Sequence, residues 1–161
     1  MGRYLDAAVL AATIILATEA VATQDSCKAL AMSGGANNGA WEAGVLWGFV
    51  NYGNSEDFAY DVVTGVSVGS LNSMFIAGYP IGQESKMVQD LSDLWLNLKN
   101  SDVWVNWPLS PVQGFINKEG LLDNSPLLNL LKGITADWTQ LYRRITVSAL
   151  DIQSGKVQIF D

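Results

Sequence analysis

The chain has 161 residues, 49% of them apolar, with nine Lys or Arg against 16 Asp or Glu and a formal charge of −7. That balance repels a phosphate backbone, which excludes nucleic acid as a partner, and it gives no electrostatic pull toward anionic lipid. One cysteine, Cys27, allows no internal disulfide and no zinc cluster, and the absence of any histidine excludes a Ser-His-Asp triad built from this chain.

The N-terminal segment reads as an address. Arg3 provides a short positive start, 7–17 is an apolar run of 11 residues, and Ala20-Val21-Ala22 is a small-residue cleavage pattern. Residues 1–22 are therefore expected to be a signal peptide, with Thr23 as the first mature residue and the secretory route as the destination. The apolar run is too short to cross a hydrocarbon layer of about 30 Å. An ordinary amphipathic or buried helix is the competing reading. The rest, 23–161, is one domain's worth of chain.

Cys27–Met32 is a short apolar run that ends in Ser33-Gly34-Gly35, as a buried strand entering a glycine turn does. A helix is expected over Gly39–Tyr52, with Trp41, Val45, Gly48, Phe49 and Tyr52 at helical spacing. Tyr60–Thr64 is a second, β-branched strand, and Gly69–Gly78 a short apolar helix. Gln83–Lys99 is an amphipathic helix with Met87, Leu91, Leu94, Trp95 and Leu98 on one face. Ser101–Ile116 reads as a loop rich in Trp, Pro and Asn. Asp123-Asn124-Ser125-Pro126 starts another helix, with proline at the first helical position. Arg144–Asp151 and Val157–Phe160 are strands joined by a turn at Gln153–Lys156. Strands alternating with helices predict an α/β fold.

Two glycine blocks carry the chemistry. In Gly65-Val66-Ser67-Val68-Gly69, a serine lies between a strand and a helix, flanked at two residues on either side by glycine. A nucleophile elbow needs that pattern, because only small residues let the backbone turn so sharply. A helix N-terminus there favours the developing alkoxide. The plainer reading is a turn whose serine caps a helix. In Gly34-Gly35-Ala36-Asn37-Asn38-Gly39, glycines before a helix let backbone N–H groups gather round an anion, as an oxyanion loop requires. A glycine-rich turn without a ligand is the plainer reading here too. A dinucleotide loop fits poorly, since the spacing is Gly-Gly-x-x-x-Gly. Without histidine, the base must be a carboxylate or a lysine, and Lys28 and Lys86 both read as surface charges.

These residues resemble a family. Ser33–Val45 resembles the oxyanion-loop block of patatin-like phospholipases, and Gly65–Gly69 resembles their Gly-x-Ser-x-Gly block at the separation expected of them. Gly120–Leu127 and Ala149-Leu150-Asp151 with Ser154-Gly155-Lys156 resemble later segments of the same domain. The resemblance implies a three-layer α/β fold with a mostly parallel central sheet flanked by helices. It implies a lipid acyl hydrolase with a Ser-Asp dyad, no metal and no organic cofactor. Ser67 would be the nucleophile, Gly34, Gly35 and Ala36 the oxyanion loop, and Gly65 and Gly69 the elbow. The substrate would be a lipid acyl ester, with transient contact to a membrane surface. Ala36 and Asn38 stand where the family has a third glycine and a Lys or Arg. The family's Asp-Gly-Gly or Asp-Gly-Ala motif does not occur, so the domain is expected to stop short of the catalytic aspartate, and this stretch alone to be inactive. Asp151 matches a structural position. A patatin-like module that binds lipid or a protein without catalysis is the alternative. Of the tryptophans, Trp41 and Trp95 are expected in the core, and Trp104 and Trp107 against lipid.

Overall fold

The computed structural model describes residues 26–108, 114, 116 and 120–161, so the expected signal peptide lies outside the described residues. Four strands, β1 (Ala29–Met32), β2 (Val62–Val66), β3 (Arg144–Asp151) and β4 (Lys156–Phe160), form one sheet in the order β1-β2-β3-β4. The first three are parallel, and β4 returns antiparallel to β3 through the turn at Gly155. Parallel neighbours need crossover connections. Helix α1 (Gly39–Tyr52) joins β1 to β2. Between β2 and β3 the described residues include the helices α2 (Val68–Ala77), α3 (Glu84–Asn97), the single turn α4 (Asn100–Val103) and α5 (Ser125–Ile134). This is the expected α/β architecture with a mostly parallel sheet.

Right-handed crossovers that advance in one direction put their helices on one face of the sheet. The core lies on that face. Met32, Val63 and, from α1 to α3, Leu46, Val50, Ile76, Met87, Val88 and Leu91 are buried together, with Leu30 and Ile145 packed against them. Along β1 and β2 the alternate residues point the other way, and there Ala29, Ala31 and Val66 are exposed. So are Leu150, Val157 and Ile159 farther along the sheet.

A buried arginine locks the start of β3 to its neighbours. Arg143 donates from Nε to the Tyr79 carbonyl at 3.1 Å, from Nη1 to the Tyr60 carbonyl at 3.0 Å and from Nη2 to Glu84 Oε1 at 2.8 Å. Its side chain is fully buried and that of Glu84 nearly so. One planar fork thereby joins the chain before β2, the exit of α2 and the start of α3.

Some expectations shift. β2 runs two residues later than the β-branched run suggests, through Gly65 and Val66. The loop after α3 contains α4 and an antiparallel bridge between Val105 and Asp123. The face of α1 is reversed. Gly39, Ala43, Leu46 and Val50 are buried, while Trp41 is 71% exposed and Tyr52 85% exposed. Trp41 is therefore a surface residue and not part of the core. Helix α1 is apolar on every side, so its periodicity carries no directional signal. Among the described residues no helix is long and apolar enough to cross a membrane.

Candidate active site

In a parallel sheet, the carboxyl ends of adjacent strands bring their exit loops together, and ligands bind there. β1 and β2 are adjacent, with Met32 beside Gly65. The loop from Ser33 to Asn38 and the turn at Ser67 are therefore neighbours. The turn is strained. Ser67 has φ 55° and ψ −124°, an uncommon backbone conformation for a residue with a side chain. It is held in place by the Ser70 N–H donating to the Ser67 carbonyl at 2.9 Å and the Ser70 hydroxyl donating to the Gly65 carbonyl at 2.8 Å.

The flanking glycines are set by contact. A Cβ on Gly65 would lie 2.2 Å from the carbonyl carbon and oxygen of Gly69, and one on Gly69 would lie 2.6 Å from the Met32 carbonyl oxygen. Both clashes are with backbone, which cannot swing aside. The first turn of α2 is thus pressed between the ends of β1 and β2, and Ser67 sits exposed at the helix N-terminus. Partial positive charge gathers there.

Gly34 closes on the serine from the other loop. A Cβ on Gly34 would sit 3.1 Å from Ser67 Cβ and 3.9 Å from its Oγ. The Asn38 side chain folds over Gly35, and the Asn38 N–H donates to the Gly35 carbonyl at 2.9 Å. Among the described residues no hydrogen bond engages the N–H of Gly34, Gly35 or Ala36. Ala36, in the place of a glycine, takes φ 49°. An L-residue in the left-handed region costs roughly 1–2 kcal/mol. Ala36→Gly is expected to recover about 1 kcal/mol of that. The melting temperature should then rise by roughly 2–4 °C. A thermal melt that shows no rise would mean the loop holds Ala36 without strain.

An apolar cavity of about 510 Å³ opens beside Ser67. Ala36, Asn37, Ser67 and Asn72 are at its loop end. Leu71, Met74 and Phe75 of α2 form one wall, and Leu94 and Trp95 of α3 another. The third comes from α5 through Leu127, Leu130, Leu131 and Ile134, with Trp104 beside it. Helix α5 begins at Ser125, one residue before the position the sequence suggests, so that Pro126 is its second residue, and the Ser125 N–H donates to Asp123 Oδ1 at 2.9 Å.

The structure thus gathers Ser67, Gly34, Gly65 and Gly69 at one point, with Ala36 on the cavity side and Gly35 beneath Asn38. It does not bring in a base. Among the described residues Ser67 Oγ has no hydrogen-bonded carboxylate. Asp151 is at the β3–β4 turn, where the Ser154 hydroxyl and the Gln153 N–H hold its carboxyl below the usual carboxylate range. Lys28 precedes β1 and donates to the Glu56 carbonyl, and Lys86 pairs with Asp90 on the exposed side of α3. No group of three or more metal-ligating side chains converges among the described residues. Trp95 and Trp104 line the cavity, whereas Trp107 donates to the Gly120 carbonyl at 2.9 Å.

Sequence reasoning passed over Asn72. It is 1% exposed, and an asparagine amid the apolar residues of α2 is the signal that could have drawn attention to it.

Compared with known families, residues 30–158 match the model described as patatin-like phospholipase. No curated protein matches the chain.

Proposed function

The chain belongs to the patatin-like phospholipase family, and from that premise we propose that it is a lipid acyl hydrolase whose nucleophile is Ser67. The family acts on lipid esters, so the reading concerns which groups do so here. Ser67 Oγ attacks the acyl carbonyl, and its proton passes to an aspartate base. The tetrahedral oxyanion is taken up by the N–H groups of Gly34, Gly35 and Ala36. Collapse expels the alcohol, which receives the proton, and leaves an acyl-enzyme on Ser67. Water, activated by the same aspartate, then releases the fatty acid.

The observation that supports this best is the position of a strained, exposed serine at the mouth of an apolar cavity, against a loop with unengaged N–H groups. The cavity would take the acyl chain. The base would be an aspartate of an Asp-Gly motif, which residues 1–161 do not contain. Turnover is therefore measured on the full-length protein. Contact with a lipid surface would be local and apolar, through groups such as exposed Trp41. Passage into the secretory route is part of the same proposal and rests on residues 1–22. N-terminal sequencing of exported material should begin at Thr23, and an intact Met1 would refute cleavage.

The experiment is hydrolysis of a series of p-nitrophenyl acyl esters of rising chain length. Activity on long chains, lost in Ser67→Ala, supports the proposal, and a folded protein that hydrolyses none of them refutes it. Leu71→Trp, which adds bulk to the cavity wall, should lower kcat/KM for long-chain esters about tenfold or more while sparing acetyl esters, on the order of what pocket steric fit provides. Equal losses on short and long chains would mean the acyl chain lies elsewhere.

A second reading has its own support. Ala36 in a strained conformation, Asn38 in place of a cation, and a serine with no carboxylate partner among the described residues suit a lipid-binding or partner-binding module without catalysis. Fatty-acid binding without ester turnover would favour it.

A further inference from the structure

We propose that Asn72 is a positioning residue that ties the oxyanion loop to the nucleophile helix and, through Trp95, to the wall of the cavity. Its kinetic consequence rests on the acyl-hydrolase reading, while its structural consequence stands without it.

Asn72 lies on α2, five residues after Ser67, and is 1% exposed. Its Nδ2 donates to the Gly39 carbonyl at 3.1 Å and to Glu42 Oε2 at 3.0 Å. Its Oδ1 accepts from Trp95 Nε1 at 2.9 Å. The partners fix which way the amide faces. An indole N–H only donates, and a carbonyl or carboxylate only accepts, so the flipped amide would lose all three bonds.

Gly39 is the residue on which the oxyanion loop ends. It begins α1, and its N–H donates to the carbonyls of Ala36 and Asn37. Trp95 presses on the same residue: a Cβ on Gly39 would lie 2.5 Å from the Trp95 ring and 2.3 Å from Val68 Cγ2. Trp95 also lines the cavity. One side chain thus joins the loop, the helix that begins at Ser67, and the cavity wall. A buried amide is costly unless fully satisfied, and a leucine would fill the space without that risk. What the amide adds is direction. It fixes Gly39, and with it the approach of the loop to Ser67. A chain that fills the cavity against Trp95 presses on the same joint.

The test compares wild type, Asn72→Leu, Trp95→Phe and Glu42→Gln, each made in the full-length protein. Trp95→Phe keeps an aromatic ring and removes only the N–H, so it carries the test if Asn72→Leu does not fold. Two readouts are taken. The first is phosphonylation of Ser67 by a fluorophosphonate, resolved into a maximal rate and a half-saturating concentration. The second is hydrogen exchange at Asn38 and Gly39, whose N–H groups close the loop. Misplacing a reacting group by about 1 Å costs on the order of a hundredfold. The maximal rate should fall roughly 10- to 100-fold in Asn72→Leu, and less in Trp95→Phe, with the half-saturating concentration nearly unchanged. Exchange at Asn38 and Gly39 should quicken while that of β2 does not. Glu42→Gln, which keeps an acceptor, should behave as wild type.

An unchanged maximal rate in a folded variant overturns the proposal. So does a loss confined to the half-saturating concentration, or exchange that quickens equally throughout the fold. If wild type is not labelled at all, the acyl-hydrolase reading fails instead. Exchange at Asn38 and Gly39 then decides the positioning role alone: local quickening upholds it, and unchanged exchange overturns it.

Discussion

Gly65→Ala is expected to lower the stability of the fold by about 3 kcal/mol or more, and to abolish acyl transfer in whatever protein remains folded. The added methyl would lie 2.2 Å from the Gly69 carbonyl group and 2.6 Å from the Ser70 nitrogen. The three nearest atoms are all backbone, in the first turn of α2. No rotamer change relieves the overlap. The helix must move away from β2, and Ser67, at the joint, moves with it. The melting temperature should fall by roughly 6–12 °C. Gly44→Ala supplies the contrast. Gly44 is in the middle of α1, and a Cβ there meets nothing within 4 Å. That change should stabilise by roughly 0.5–1 kcal/mol through helix propensity alone. If the two substitutions had similar effects in a melt, the tight elbow described for Gly65 would be wrong.

Arg143→Met should cost about 3–5 kcal/mol, as removal of one partner from a buried ion pair does. The substitution keeps a long apolar stem and deletes the fork. Glu84 would then be left 4% exposed without its cation, and the carbonyls of Tyr60 and Tyr79 would lose their donor. Because these groups belong to the chain before β2, the end of α2 and the start of α3, the damage should spread beyond β3. Urea unfolding is the measurement. A lowered midpoint with an unchanged slope would indicate lost stability of the same folded state. A loss below about 1 kcal/mol, the range of exposed pairs, would show that the arginine is not the anchor inferred here. Replacing both Arg143 and Glu84 by apolar residues should cost less than Arg143→Met alone, because no buried charge is then stranded.

The parts of the site that could be read from the sequence are those where backbone sterics admit few residues. Gly65, Gly69 and Gly34 are glycines because a Cβ at each would meet backbone or Ser67 itself, and that need shows as a motif. Strands β2, β3 and β4 are legible from β-branched runs, β1 from an apolar run that ends in a glycine turn, and α3 from its apolar stripe, of which Met87 and Leu91 are fully buried. Helix α1 was misread because it is apolar all round. Nothing in its own pattern distinguishes Trp41, on the surface, from Leu46, in the core. The cavity was illegible for another reason. Leu71, Trp95 and Leu130 share its lining only through tertiary packing, and spacing along the chain carries no trace of that. Asn72 belongs to the same class. Its partners Gly39 and Trp95 are 33 and 23 residues away in sequence. The φ of 49° at Ala36 shows that the loop keeps a glycine-like conformation without the glycine, an outcome composition alone does not decide.

The central claim is that Ser67 is an activated nucleophile, and fluorophosphonate labelling followed by intact-mass and peptide analysis tests it most directly. In the full-length protein, the account predicts a single phosphonyl adduct on Ser67 and none in Ser67→Ala. A well-folded protein that takes up no label, or one labelled equally after Ser67→Ala, would contradict it.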